Sequence, residues 1–356
     1  MTRVLALTIR PLDGPDTRYR ILEYIPHLEK AGIEVVHNSL LSRNFYRRQQ
    51  ARKLNVSDAL SFIAAALGRA AGLLRHLSFD AVWLARELLP YGPPLLERLL
   101  FQTGVPVVLD VDDALFEPDP AGGFLHRNIR DFTKYAYIVP RCRTVVAGNR
   151  YLADYFSRLN VAVEIIPTCV DHLKYAGIAR RPSPDDRIRL GWIGTPANRG
   201  HLDLIRTAVE RLARHHPLEF RAVGLGSPLG WDMDRCLSIP WRLPEELDYF
   251  TDFDIGVMPL ADTAFTRGKC AFKIIQYMAA GVPVAASPVA ANREVMIAGE
   301  QGFFAEEPQE WERVLETLIL DKELCRRMGE SGRTRVREKF SLAAHWSRYA
   351  DILRGR

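Results

Sequence analysis

The stretch 252–296, DFDIGVMPLADTAFTRGKCAFKIIQYMAAGVPVAASPVAANREVM, decides the fold class. It reads as a strand (Ile255–Met258), a loop carrying Arg267 and Lys269, a helix over about 269–280, a turn at Gly281 and a second strand (Val282–Ala286). On such a helix Lys269, Lys273 and Gln276 fall at i, i+4 and i+7 and share one face. Two lysines beside a helix N-terminus introduced by Gly268 suit a multiply charged anion such as a diphosphate. A solvated polar face on an ordinary amphipathic helix is the competing reading. The flanks favour the anion site. An apolar strand running into Pro259-Leu260 precedes the helix and a second strand ending at Ser287-Pro288 follows it, and strand carboxyl ends are where open α/β sheets bind ligands.

The same alternation runs through the whole chain, which argues for parallel sheets covered by helices. In the first half, strands are expected at Val4–Ile9, Glu34–His37, Ala81–Leu84, Val105–Leu109, Thr144–Ala147 and Ala162–Ile166. Helices are expected from about Tyr19 to Ala31, up to about residue 76, and near 92–102, 126–138 and 150–158. The segment Pro167–Arg187 breaks the pattern with Pro182, Pro184 and several charges, and reads as a connector. A second series follows: Ile188–Ile193, a helix near 200–215, Phe220–Val223, a helix near 244–250, and the opening stretch. Helix then fills about 307–353. The chain thus divides into an N-terminal Rossmann-like domain (1–168), a linker (169–187) and a second Rossmann-like domain (188–339), with a C-terminal helix (about 340–356) returning to the first. Two such domains in tandem leave a cleft suited to a substrate.

Composition sets limits. The 356 residues suffice for two domains, and 47% hydrophobic with 26% charged residues is typical of a globular protein. A net charge of +5 is too weak to imply nucleic acid, but it suits an anionic substrate or loose attraction to an anionic membrane. Cys142, Cys169, Cys236, Cys270 and Cys325 have no metal-binding spacing and are odd in number, so free thiols in a reducing cytoplasm are expected. The opening MTRVLALTIRP is too short an apolar run for a signal peptide. Ala59–Leu74 is interrupted by Gly68 and Arg69 and falls short of the roughly 20 residues of a membrane span. Beside it, the basic run Arg47–Lys53 with Phe45, Tyr46 and Leu54 admits two readings. One is contact with a membrane carrying a lipid-linked acceptor; the other, which the composition favours, is core packing of 59–74 plus a solvated basic face.

At this point the residues resemble a known group. GWIG (191–194), DIGVMPL (254–260), the KxxQYMAAGVPVAAS block (273–287) and Asn292–Glu294 are similar to the donor domain of retaining glycosyltransferases of GT-B fold, family 4 and its relatives. GPDTRYRILEYIPHLEKAGIEV (14–35), FDAVWLARE (79–87) and TVVAGNRYLADYF (144–156) resemble the N-terminal domain of that group. The likeness covers most of the chain and is weakest at about 40–75. It implies retaining transfer of a hexosyl group from a nucleotide-diphosphate-sugar to a saccharide or lipid-linked acceptor. Such transfer serves cell-surface polysaccharide or glycoconjugate synthesis, in the cytoplasm or at the inner face of the membrane, without a cofactor. One departure stands out. Many members carry two glutamates eight positions apart, for the donor sugar and the ribose; here those positions hold Gly268 and Gln276. Gln276 can still bond a ribose hydroxyl, whereas Gly268 offers only backbone.

Sugar transfer needs a stabilised diphosphate leaving group, so cations carry most of the catalysis. Lys273 is the first candidate, then Arg267 and Lys269. The loop Gly194-Thr195-Pro196-Ala197-Asn198 follows a strand and precedes a helix, so Gly194, Thr195 and Asn198 could reach the same phosphates, or could simply turn the chain. Trp241 and Arg242 stand where the family lines its nucleobase slot, though a Trp there is often core. Glu294 matches an acidic family residue near the donor, with helix N-terminal charge compensation as the alternative. In the N-terminal half, VVLDVDDALF (107–116) brings Asp110, Asp112 and Asp113 to a strand end. Metal binding at this DxD would need further oxygen ligands. Orientation of the acceptor or sugar by Asp112 or Asp113 is the better reading, with a turn or N-cap role remaining. Gly14 is expected to approach the donor, and Arg18, Arg20, Arg86, Glu87 and His126 to bind the acceptor. Arg18 and Arg20 read equally well as helix-surface cations. A GT-B epimerase or phosphorylase and a non-catalytic sugar-nucleotide binder are the alternative functions.

Overall fold

The computed structural model describes residues 1–51, 53–75, 78–119, 122, 128–159 and 162–356. The chain divides into two compact units. Unit 1 comprises Met1–Cys169, Gly268–Cys270 and Leu342–Arg356; unit 2 comprises Val170–Arg267 and Ala271–Ser341.

Unit 1 is built on six parallel strands: β1 (Thr2–Thr8), β2 (Ile33–Ser39), β3 (Ala81–Ala85), β4 (Val107–Val111), β5 (Thr144–Ala147) and β6 (Val163–Ile165). Their order is β2-β1-β3-β4-β5-β6, with Val4 opposite Ala81 and Val108 opposite Thr144. β3 and β4 are buried along their whole length, as expected of central strands covered on both faces. Helices α1 (Pro15–Arg20), α2 (Ile25–Lys30), α3 (Arg43–Gln50), α4 (Val56–Arg75), α5 (Leu95–Gln102), α6 (Lys134–Ile138) and α7 (Arg150–Ser157) belong to this unit. So does the terminal helix, here α15 (Leu342–Arg354): its Tyr349 lies in the core with Trp83 and Tyr24. Asp110, at the end of β4, accepts from Tyr349 Oη (2.6 Å), Arg20 Nε (2.7 Å) and Trp83 Nε1 (3.4 Å), so a buried carboxylate ties α1, the sheet and α15 together.

Unit 2 repeats the plan with β7 (Ile188–Ile193), β8 (Leu218–Val223), β9 (Cys236–Ile239), β10 (Ile255–Met258), β11 (Val284–Ala286) and β12 (Gly302–Phe304), all parallel in the order β12-β11-β10-β7-β8-β9. Its helices are α8 (His172–Ala176), α9 (Asp203–Leu212), α10 (Ala264–Arg267), α11 (Phe272–Ala279), α12 (Ala291–Val295), α13 (Pro308–Leu320) and α14 (Lys322–Lys339). Strand order reverses between β7 and β10 here, and between β1 and β3 in unit 1. Those switch points open crevices at the strand carboxyl ends.

Several expectations change. The helix expected over 269–280 begins at Phe272, because Ala271 takes a left-handed φ of 52° and turns the chain. Lys269 is therefore off the helix and does not share a face with Lys273 and Gln276. Of the helix expected at 126–138, the described part is Lys134–Ile138, and the one near 244–250 is two 3-10 turns, Leu243–Glu245 and Asp248–Asp252. β12 was not anticipated; three residues flanked by polar turns leave little pattern to read. Over 59–73 only Arg69 and Leu73 are buried and about half the residues are exposed, since α4 turns an aliphatic side outward.

Candidate active site

In unit 2 the switch point is lined by the residues after β7 and β10. Gly194 follows β7, and a Cβ there would lie 2.6 Å from the Trp192 ring and 3.1 Å from Lys273 Cε. The glycine is required chiefly by the Trp192 ring, with the Lys273 side chain passing close beside it. The ammonium lies 5.7 Å from the Trp192 ring centroid, a cation–π position that steers a flexible side chain. Thr195 immediately precedes the 3-10 turn Pro196–Leu202, and Asn198 within that turn donates from Nδ2 to Thr195 Oγ1 (3.1 Å). Gly224, after β8, has φ 82°, and a Cβ on it would meet Gly194 O at 2.2 Å. After β10, the Ala261 amide donates to His201 Nδ1 (3.3 Å) and the Leu260 amide to Ser287 Oγ (3.0 Å). Lys273, Gly194, Thr195 and Asn198 thus gather at the strand ends. His201 joins them without having been singled out; its place in RGHLD gave no periodic or motif signal.

Other candidates are held elsewhere. Gln276 is 3% exposed and its Nε2 donates to Tyr175 Oη (3.2 Å), so this amide nitrogen is engaged between α11 and α8. Arg267 makes a two-pronged pair with Asp262 (2.7 and 3.1 Å). Arg242 is exposed and pairs with Glu245 (3.1 Å), while Trp241 is half-buried with its Cβ beside Gly224. Glu294 is exposed on α12, where Ala290 has a φ of 37°. A left-handed alanine costs about 1–3 kcal/mol, and such strain collects at ligand-facing turns.

The strand ends of unit 1 carry a different device. Arg86, just after β3 and itself left-handed (φ 71°), sends its guanidinium to Asp112 (3.0 Å), Asp113 and Asp16 (3.4 Å). Arg10 adds a bond to Asp16 (3.3 Å), and Lys269 lies 3.9 Å from Asp113. Three cations thus meet three carboxylates around the β1/β3 switch point. Among the described residues no three His, Cys, Asp or Glu side chains are grouped as metal ligands. Burial raises the Asp112 carboxyl above its ordinary value; Arg86 pulls it down, and Asp113 and Asp16 push it up. Asp16 goes the other way. Burial opposes its charge, but Arg10 and Arg86 outweigh it and hold the carboxyl below its ordinary value. Neither Arg10 nor Asp16 had been picked out, although both flank Gly14.

Gly268 has a steric explanation. A Cβ there would lie 2.4 Å from both Ala114 Cβ and Ala114 N, so no glutamate fits at this position. The next residues hold the tripeptide in unit 1: Asn149 Nδ2 donates to Lys269 O (3.0 Å), and Cys270 Sγ donates to Asp112 O (3.2 Å). Burial pushes the Cys270 thiol well above its ordinary range, so it is no thiolate nucleophile. Gly14 precedes α1, and a Cβ on it would meet Arg10 Cβ at 2.5 Å. Arg18 is buried and lies over the Tyr19 ring (4.6 Å).

Two acceptor candidates are corrected outright. Arg20 is buried with Asp110 and Ile166 O (2.7 Å), and Glu87 is buried with Arg130 (2.8 Å) and Lys134 (3.7 Å). Both are spent on internal pairs. His126 lies outside the described residues.

Part of the chain matches a known family, and the fold matches solved structures. Residues 187–321 match the model of the family described as glycosyl transferases group 1. No curated protein matches the chain. Among solved structures it is similar to the Anabaena protein HepE in complex with UDP-glucose (13% identity, TM-score 0.71, 100% of both chains covered). It is also similar to a glycosyltransferase from Rickettsia africae (16%, TM-score 0.70, 99% of this chain and 98% of that one). A third is the sucrose-phosphate synthase of Thermosynechococcus elongatus (14%, TM-score 0.69, 99% and 98%).

Proposed function

We propose that this chain, a glycosyltransferase of GT-B fold whose residues 187–321 are of group 1, transfers a hexosyl group with retention from a nucleoside-diphosphate-sugar to a saccharide or lipid-linked acceptor. The supporting observation is the placement of Lys273 across Trp192 at the end of β7, beside Gly194, at the switch point of the unit 2 sheet. An ammonium there meets the charge that grows on the departing diphosphate, which is where stabilisation accelerates the reaction. The bond from the anomeric carbon to the diphosphate oxygen breaks, and a bond to the acceptor oxygen forms on the same face. The acceptor proton passes to the leaving phosphate, and nucleoside diphosphate departs. In unit 1, Asp112 and Asp113, oriented by Arg86, bind hydroxyls of the sugar or acceptor. Metal plays no part in this scheme; Lys273 takes the role of the counter-cation.

Solved neighbours hold UDP or UDP-glucose, which makes UDP-glucose the first donor to try, followed by GDP- and ADP-sugars. A cytoplasmic enzyme of cell-surface polysaccharide synthesis fits the free thiols and the expected donor. The test is donor turnover by the purified chain with the product anomer read by proton NMR. Release of nucleoside diphosphate with an α product from an α donor supports the reading. A β product refutes retention, and turnover unchanged in Lys273→Ala refutes the phosphate site.

A further inference from the structure

Helix α4 is inside out. Its charged residues over Val56–Leu73 are Asp58 and Arg69, and both are buried. Asp58 accepts from Arg48 Nε (2.9 Å) and the Asn55 amide (3.0 Å). Arg69 donates to Thr8 O (2.8 Å), Asn38 O (3.0 Å) and Leu88 O (3.3 Å). On the same side Phe62 and Ala65 pack on Leu40, Leu41 and Phe45, and Leu73 enters the main core of unit 1. At about 100° per residue the opposite side carries Val56, Leu60, Ile63 and Leu67. These are 79%, 64%, 55% and 66% exposed, with Ala59, Ala64 and Ala71 also exposed beside them. A row of branched aliphatics over nearly the whole helix is costly in water and marks a surface that something covers.

Charge identifies what covers it. Residues 43–75 hold cations at 43, 47, 48, 52, 53, 69 and 75, and their sole carboxylate, Asp58, is buried in its pair with Arg48. Arg43 and Arg47 share the buried carboxylate of Asp13 (2.8 and 3.2 Å) yet keep half or more of their side chains exposed, and with exposed Lys53 they leave the approach to α4 net positive; exposed Leu54 extends the apolar row toward them. A basic approach followed by an uncharged aliphatic face matches an anionic bilayer surface. Running from Val56 to Arg75, the helix is longer than the expected 59–74 and, contrary to that expectation, is long and apolar enough to cross a membrane by length and composition. Asp58 and Arg69, bonded into the unit at separate points along the helix, hold it flat on the domain instead. We infer that α4 is a membrane-surface helix, laying Val56, Leu60, Ile63 and Leu67 at the acyl boundary of an anionic bilayer with Arg43, Arg47 and Lys53 among the headgroups. If the reading of a lipid-linked acceptor also holds, this surface brings unit 1 to the acceptor.

The test is co-sedimentation of the full chain with phosphatidylcholine–phosphatidylglycerol vesicles and with pure phosphatidylcholine vesicles. The wild type is expected to sediment with the mixed vesicles and largely not with the neutral ones. Leu60→Glu/Leu67→Glu should lower binding by about tenfold or more, and Lys53→Glu by about fivefold. All three positions are exposed, so thermal melting should stay within the small range of surface substitutions. The inference is overturned if the wild type stays in the supernatant with both vesicles, or if the double variant sediments like the wild type. It is also overturned if light scattering finds a dimer that the double variant dissolves, which would assign the row to a second copy. The readout is vesicle association, so it stands apart from the donor-site reading.

Discussion

The two sheets have the same parallel plan but arm their strand ends in different ways. In unit 1, Arg86 gathers Asp16, Asp112 and Asp113 into a network of matched charges that is largely buried. In unit 2, glycines, a threonine and an asparagine line the turn, and Lys273 rests on an indole. A matched network suits neutral hydroxyls, which slot into a lattice of donors and acceptors without upsetting its charge. A lysine on an aromatic face above glycine turns suits a phosphate, which brings its own negative charge and needs room near the backbone. On the proposed reading, the same architecture serves a sugar in one half and a diphosphate in the other.

The contrast can be broken at either end. The largest effect is expected for Lys273→Ala: a loss of about 10²–10³ in donor turnover, the scale of removing one preorganised charge-stabilising group, with little change in melting temperature. Next is Arg86→Ala, which leaves three carboxylates to the two remaining cations, Arg10 and Lys269. It should cost about 3–5 kcal/mol of stability in denaturant titration, because the partners stay buried without their counter-charge. If Arg86→Ala melts like the wild type, the network is not what holds these strand ends. Gly268→Glu, which restores the carboxylate common in relatives, should reduce both stability and activity. Its Cβ would sit 2.4 Å from Ala114, and overpacking of this kind costs about 1–3 kcal/mol. A gain in activity would show that the tripeptide moves to admit the side chain.

The smallest effect is in pH. The folded Asp16 pKa lies below its ordinary value of 3.8, so its stabilisation is fully present above that value and is lost as pH falls through the lowered folded pKa. Asp112 is raised, so its protonated form favours folding; that contribution is complete below 3.8 and disappears as pH rises through the raised value. Asp112→Asn should therefore flatten the acid side of the melting curve, whereas Asp16→Asn should lower stability at neutral pH.

Much of the fold was legible because alternating apolar strands and amphipathic helices leave a strong periodic trace, and most of the twelve strands fall near their expected places. The misreadings share a physical cause: periodicity does not say where a chain is anchored. On spacing alone Lys269 and Gln276 belong with Lys273, yet Ala271 turns the chain before the helix starts and Gln276 points to Tyr175. In α4 the apolar content suggested core, but Asp58 and Arg69 have inward partners and turn the aliphatic row out. Arg20 and Glu87 looked like surface cation and site acid until their buried partners, Asp110 and Arg130, came into view from distant parts of the chain. Lys273 and Gly194 were readable as two separate motifs; that they meet beside the Trp192 ring, for which the glycine makes room, required the packing.

The central claim is that Lys273 binds the diphosphate. Calorimetric titration of the wild type and Lys273→Ala, each with a nucleoside diphosphate and with the matching nucleoside, tests it most directly. The account predicts that the wild type strongly prefers the diphosphate and that the variant loses most of this preference while still binding the nucleoside. An equal preference in the two proteins would contradict it.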